Sequence, residues 1–399
     1  MITKKSFEKV SHNMAMRMES ANLQALEVIA KRVKEIGRLT ADDVYRLELL
    51  RNIGADVLEM ETYIAQATAM NIRDVDRVYK YQAKKIYKEQ TKFYKASGIE
   101  QIPFEQNAKV NALVTAQANV TKNSFRNISN STVMSFSKKN AKGEYVQVRR
   151  SVKRAYQDIV DEAINIVKSG ALDYNTAIEG ALNRIADSGI RYVNYESGRT
   201  MNLYSAVRMN VMDGMKALSQ DMRDQAGQEF GADGIEIDAH ELCAEDHLGV
   251  QGRTFACEDY GVDTPEELIE AVNEQEIDSD RGIGEYNCMH SWFPIKVGVS
   301  EPVYSKDELD EFAKSTTVKD IDIGGTKYSR YECGQLQRKI EHNVRQAKIK
   351  RAVDKTAGVD TSKVDKRLKM LNNKYAEVSK KSGLSMRREN LRVPKNLLR

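Results

Sequence analysis

The stretch Leu23-Gln24-Ala25-Leu26-Glu27-Val28-Ile29-Ala30-Lys31-Arg32-Val33 sets apolar residues at 23, 26, 29, 30 and 33. Those spacings of three and four are what one face of an α-helix requires. Downstream, Val44, Leu47, Leu50 and Ile53 repeat the pattern, and Thr40-Ala41-Asp42-Asp43 reads as a helix start, with Thr40 as N-cap and Asp43 at the third helical position. Ile72 to Arg77 opens another charged helix that runs through Lys95 and stops at Ser97-Gly98. Proline supports this reading by its scarcity. The chain has five (Pro103, Pro265, Pro294, Pro302 and Pro394), so long segments carry none of the residue that removes a backbone donor and clashes inside a helix.

Further along, residues 105–135 are rich in Asn, Ala, Thr and Ser and read mostly as helix. A hairpin-like break follows at Lys142-Gly143-Glu144, with Tyr145-Val146-Gln147-Val148 on its far side. Helical periodicity returns from Ser151 to Lys168 (Val152, Tyr156, Ile159, Val160, Ala163, Ile166) and stops at Ser169-Gly170. Further helices are expected over residues 174–185 and 195–225. Glycines then cluster from Gly231 to Gly298, beside the alternating run Ile235-Glu236-Ile237-Asp238, which reads as a strand. A short helix is expected from Thr264 to Asn273, with Thr264 as N-cap and Pro265 at the first helical position.

The expected fold class is a mainly α N-terminal half with a small α+β His/Cys-bearing domain and a helical, basic C-terminal region. The expected organisation is a helical domain over 1–228, a small α+β domain over 229–305, a charged helical segment over 306–350 and a basic tail over 351–399. A length of 399 residues suits two or three domains. With 41% hydrophobic and 30% charged residues, the chain can bury a sizeable core. Met1 to Phe7 lacks the apolar region of a signal peptide, and no later stretch approaches a membrane span. Folding in a cytoplasm and no membrane partner are therefore expected. In that reducing setting Cys243, Cys257, Cys288 and Cys333 read as thiols or metal ligands rather than a disulfide framework.

Net charge is +4, unevenly spread. Residues 231–290 hold 17 acidic and 2 basic residues, and residues 351–399 hold 14 basic and 5 acidic. A basic tail of this kind can meet nucleic acid by neutralising phosphates, or can simply be a solvated, partly helical segment.

The residues able to carry chemistry are His240, His247, Cys288 and His290. Two histidines follow the expected strand, and Cys-x-His closes the segment about 40 residues later. Structural zinc sites are built this way, with imidazole nitrogen and thiolate sulfur as tetrahedral donors, and a small acidic domain would gain folding energy from such a staple. The spacing is not that of a standard zinc finger, and hydrogen-bonded histidines beside a buried thiol are the competing reading. Cys243 or Cys257 could replace one ligand, and Asp246 could be a ligand or an outer partner. A catalytic Cys–His pair, with Cys288 or Cys243 as nucleophile, is a further alternative. Trp292, the only tryptophan, reads as core of the small domain. Gly324-Gly325-Thr326-Lys327 lacks the full phosphate-loop spacing. Gln335, Gln337, Arg338, Glu341, Arg345 and Lys348 fall at helical spacings, as charge pairing on an exposed helix or as a docking face for a partner or nucleic acid.

The order of several motifs carries a family resemblance. Ser169-Gly170-Ala171-Leu172-Asp173-Tyr174 is followed by Ser188-Gly189-Ile190-Arg191-Tyr192, then His240, Asp246-His247, Gln251-Gly252-Arg253-Thr254-Phe255 and Asn287-Cys288-Met289-His290-Ser291. The series, with Pro103-Phe104-Glu105-Gln106-Asn107 ahead of it, resembles the phage minor capsid protein family of the "minor capsid protein 2" type over roughly residues 20–350. The Gln335–Lys348 helix is similar to a segment of phage head morphogenesis proteins related to the Mu F type. The resemblance implies a structural, non-enzymatic minor head protein of a tailed phage, found in the virion after assembly in the host cytoplasm. Its implied partners are the portal protein, the major capsid or scaffolding protein, and packaged phage DNA. It places His240, His247, Asn287, Cys288 and His290 on typical positions and leaves Cys243 and Cys257 off them. The implied ligands of a structural zinc ion are therefore His240, His247, Cys288 and His290. Met289 departs from the family's usual arginine. A zinc- or thiol-dependent hydrolase carried in the phage head is the alternative.

Overall fold

The computed structural model describes residues 4–36, 43–96, 98–139, 144–168, 174–194, 198–279, 281–285 and 288–393. The first half is built from α1 (Lys4–Ile36), α2 (Asp43–Ala96), α3 (Ala108–Asn130), α4 (Val152–Lys168), α5 (Tyr174–Ser188) and α6 (Leu203–Glu229). It also holds an antiparallel sheet of β1 (Thr132–Lys139), β2 (Tyr145–Ser151), β3 (Ile190–Val193) and β4 (Thr200–Asn202), in the order β2-β1-β3-β4. A compact segment follows with β5 (Gly234–Ile237), β6 (Thr254–Ala256), α7 (Cys257–Tyr260), α8 (Pro265–Glu276) and β7 (Trp292–Ile295). Then come α9 (Lys306–Thr317), the hairpin β8 (Ile321–Ile323) and β9 (Thr326–Tyr328), α10 (Arg330–Ala357) and α11 (Ser362–Ser382). The chain is mainly helical, with a small strand-containing His/Cys region and a helical C-terminal region. Among the described residues no helix is long and apolar enough to cross a membrane.

Leu23, Leu26, Ile29, Ala30 and Val33 lie in α1 and are all buried. Burial extends around the helix to Met14, Met18, Ala21, Ala25 and Val28. A helix buried on most of its faces lies inside the protein, and α1, with Glu19, Ser20 and Asn22 buried among its apolar residues, is the axis of the main core, in contact with α2, α4, α5, α6 and α10. Polar pins fix the register. The Arg32 guanidinium donates to both oxygens of Asp56 at 3.0 Å, and the Tyr156 hydroxyl donates to Asp56 Oδ2 at 2.6 Å, joining α1, α2 and α4. At Gly214 the backbone of α6 comes so close to α2 and α3 that a Cβ would collide with the Tyr79 hydroxyl and Thr121 Oγ1.

The two helices expected around Ile53 and Ile72 are one 54-residue helix, α2. No proline interrupts it, so continuous packing prevails over the local change in charge. The expected Thr40 cap, and the turn residues Lys142 and Gly143, lie outside the described residues. The expected helix over 195–225 is corrected: Thr200–Asn202 is a strand, and α6 begins at Leu203. There the Asn202 side chain accepts the Ser205 backbone N–H at 2.7 Å and caps the helix.

β5 is the central strand of an antiparallel β6-β5-β7 sheet and is buried along its whole length, Glu236 included. Thr264 and Pro265 open α8 as cap and first residue, and the helix runs on to Glu276. Gly324 and Gly325, both at positive φ, make the two-residue turn between β8 and β9. That accounts for the glycine pair as a hairpin turn. α10 and α11 pair as a helical hairpin around Ile340, Val344, Leu368, Leu371 and Tyr375, while the far end of α10 (Ile349, Val353, Ala357) enters the main core. Gln337, Glu341 and Arg345 are buried. This corrects the reading of α10 as a helix whose charges pair with each other on an exposed face. Glu341 instead accepts from Tyr375 Oη at 2.8 Å, Arg387 Nε at 2.9 Å and Asn390 Nδ2 at 3.0 Å.

Candidate metal centre

His240 and His247 sit on the loop between β5 and β6, and Cys288 and His290 on the approach to β7. Because β5 pairs with both β6 and β7, the sheet brings the two ends of the segment together. From α9, Ser315 Oγ accepts the Leu242 N–H at 3.3 Å, and the Thr316 hydroxyl donates to the Cys243 carbonyl at 2.7 Å, pinning the loop. Leu242 there holds a positive φ of 64°, a strained conformation for a non-glycine residue.

His247, Cys288 and His290 are buried, and their donor atoms lie within 4.8 Å of one another. Cys288 Sγ is 3.7 Å from His247 Nδ1 and 3.6 Å from His290 Nδ1. Zinc–sulfur and zinc–nitrogen bonds of about 2.3 and 2.0–2.1 Å at a tetrahedral angle would separate S and N by about 3.6 Å. The protonation pattern agrees. His247 Nε2 faces the Arg281 carbonyl at 2.9 Å, which can only accept, so the proton sits on Nε2 and the Nδ1 lone pair faces the sulfur. Gln251 Oε1 accepts the His240 backbone N–H at 3.3 Å and faces His290 Nε2 at 3.4 Å, which fixes the same tautomer for His290. Metal-ligating histidines are held in this way by outer partners.

Burial alone would raise the Cys288 thiol. The His247 hydrogen bond, the Lys216 charge and the backbone N–H groups of Gly284 and His290 outweigh it and bring the thiol below its ordinary value. Burial pulls His247 down, but its bonds to Cys288 and the Arg281 carbonyl leave it raised. The Lys216 ammonium also donates to the Cys288 carbonyl at 2.6 Å. These contacts ease formation of the thiolate, the form that ligates metals.

The fourth sequence candidate stands beside this group. The His240 ring stacks on His290, centroids 4.3 Å apart and planes 24° apart, and its Nδ1 donates to the Glu241 carbonyl at 3.0 Å. An imidazole donates its lone pair in the ring plane, so this stacking does not aim His240 at the point the other three share. Asp246 is gripped by Arg281 through two 2.9 Å bonds, 3.9 Å from His247 Nε2 on the edge of the ring away from the sulfur. That is an outer position. Cys243 donates to the Ala244 carbonyl at 3.1 Å, and its thiol is pushed up to about 12 by burial, then by Asp246 and Cys288. Cys257 lies in the apolar core of this segment, and all four cysteines are free. Asn287 is outside the described residues. Trp292 packs on that core from its edge, with its indole N–H donating to Asp224 of α6 at 3.2 Å. Gln251, Lys216 and Arg281 were not singled out from sequence as part of the site. Gln251 had a signal in the Gln251-Gly252-Arg253 motif, whereas Lys216 had none.

The group opens onto a cavity of about 730 Å³ between the small sheet segment, α6 and α10. Comparison with known proteins yields one family, described as phage minor capsid protein 2, which matches residues 2–377. No curated protein and no solved structure matches.

Proposed function

The chain belongs to the phage minor capsid protein 2 family, and so to the capsid components of the bacteriophage virion; on that premise we propose that it is a structural protein that takes part in head assembly at or near the portal. The observation carrying this reading is the extent of the family match, which includes the long helices as well as the His/Cys segment. We propose that residues 1–228, 229–305, 306–350 and 351–399 act as its successive functional segments, the first offering long helical faces to portal and to major capsid or scaffolding protein. The exposed Lys363, Lys366, Arg367, Lys369, Lys374 and Lys380 of α11 form a basic face suited to packaged DNA. Co-purification with portal protein in head-sized particles is the expected result. Recovery only as a free monomer with hydrolytic activity would overturn it.

Within this role the His/Cys group holds a structural zinc ion. His247, Cys288 and His290 would hold it, and His240 is the adjacent candidate for the fourth position. The ion would tie together the two ends of a segment that has only a small apolar core of its own. Stoichiometric zinc in protein purified without added metal, lost in Cys288→Ser together with thermal stability, is expected. Metal-free wild-type protein of full stability rejects the staple.

Three donors at a cavity wall are also what a zinc or thiol hydrolase would present, and this observation keeps the second reading alive. Against it, the carboxylate beside His247, Asp246, is committed to Arg281 and is not poised as a general base.

A further inference from the structure

The cavity beside the His/Cys group has a second wall whose chemistry neither the capsid role nor the zinc staple uses. Among the described residues, seven arginines and lysines line the cavity against three carboxylates. Two of the seven are already paired, Arg387 with Glu341 and Arg281 with Asp246, which leaves Arg199, Arg208, Lys216, Arg338 and Arg345 facing the cavity. Glu341 is already shared among Tyr375, Arg387 and Asn390. Burial raises Asp213 toward its neutral form, opposed by Lys216. On the cationic side, Arg208 of α6 and Arg338 of α10 make no ion pair and no hydrogen bond among the described residues, and they lie near enough to feel each other's charge. Arg345, a buried member of the same lining, stacks its guanidinium over Tyr204 at 4.4 Å and donates to the Asn390 carbonyl at 2.7 Å, with the buried Glu19 the carboxylate on its core side.

Like charges gathered in a concave, partly desolvated space repel, and that cost is offset when an anion bridges them. Guanidinium is the group suited to the task, because its planar fork matches two oxyanion atoms at once. The volume, about 730 Å³, fits a ligand of nucleotide size. We propose that this cavity is an anion site that takes a phosphoryl group, clamped between Arg208 on α6 and Arg338 on α10 with Arg345 behind them. A phosphate held there links the main helical core to the α10–α11 hairpin. The site does not depend on the metal: neither clamp residue belongs to the His/Cys group.

The test uses the full chain with inorganic phosphate as probe, at constant ionic strength against chloride, read by thermal shift and calorimetry. Saturable stabilisation by phosphate is expected. Arg208→Gln and Arg338→Gln should each weaken it roughly tenfold or more, as expected when a charge-assisted bond is lost, while Lys327→Gln on the exposed β8–β9 hairpin leaves it unchanged. Arg338→Lys, which keeps the charge without the fork, should give an intermediate loss. Zinc content measured on the same preparations stays constant, which separates failure of this site from failure of the metal site. A short oligodeoxythymidylate that competes with phosphate assigns the phosphoryl group to a nucleic-acid backbone; one that does not assigns it to a small phosphate compound. No saturable effect above chloride, or an effect equal in wild type and both Gln variants of matching circular dichroism, overturns the proposal.

Discussion

Gly214→Ala is a perturbation whose size and sign follow from the packing of three helices. In an isolated helix the change would stabilise by about 1 kcal/mol, since alanine is the better helix former. Here the added methyl falls inside van der Waals distance of the Tyr79 hydroxyl and 2.5 Å from Thr121 Oγ1, two buried groups hydrogen-bonded to each other at 2.5 Å. Overpacking costs about 1–3 kcal/mol, and prising the pair apart in a dry core costs about 1–3 kcal/mol more. The net expectation is a destabilisation of roughly 1–5 kcal/mol. Tyr79→Phe with Thr121→Ala removes both obstructing oxygens, and in that background the same change should stabilise by about 0.5–1 kcal/mol. Denaturant unfolding followed by far-UV circular dichroism, run as a cycle over the four proteins, measures this coupling. A neutral Gly214→Ala in the wild-type background, or an equal loss in both backgrounds, refutes the reasoning.

Burial raises the Asp224 carboxyl to about 7, with Glu266 and Asp221 adding to the rise and bonds from Gln220 and Trp292 opposing it. Because the folded value lies above the unfolded one, its contribution to stability is full below about pH 4 and is lost as pH rises through about 7. Fluorescence of the single tryptophan, whose indole donates to this carboxyl, should titrate near pH 7 in wild type and not in Asp224→Asn. Glu341→Ala strands Arg387, Tyr375 and Asn390 and should cost roughly 3 kcal/mol in chemical unfolding; a loss no larger than that of an exposed α11 lysine would show that the network is idle. Because the His240 ring is stacked on His290 rather than aimed at the shared point, His240→Ala should weaken zinc binding in a competition titration by about tenfold, as loss of an outer partner does, whereas abolition of binding would make it a direct ligand.

Periodicity made α1 legible, because every apolar position from Leu23 to Val33 in the repeat is a core position. It could not show that α1 is buried on its other faces, which depends on five other helices, four of them distant in sequence. The C-terminal region read mainly as charge, yet Val364, Leu368, Leu371, Tyr375 and Val378 form the buried stripe that folds α11 onto α10. The stripe was present in the sequence, masked by the lysines between its members. At the site, the Cys288–His290 pair was visible because Cys-x-His brings both side chains to one strand approach. The role of Lys216 was not, since a helix and a loop 72 residues apart meet only in the fold. The orientation of His240 was equally hidden, being set by a loop that α9 pins from outside.

The placement of α1 at the centre of the main core has a consequence for synthesis. Its partners include α6, which ends at Glu229, and α10, whose core-entering end reaches Ala357. At about 5–20 residues per second, α1 waits roughly 15–60 s on the ribosome between its own completion and the arrival of its last partner. Through that interval a helix that is buried on most of its faces in the finished fold has no completed core to enter. The α10–α11 hairpin and the small sheet are made of near neighbours and can close as soon as they emerge. The residues of α1, made well before α6 and α10, are therefore among the last of the main core to be shielded, and chains that stop short of Ile349 leave that core open to aggregation.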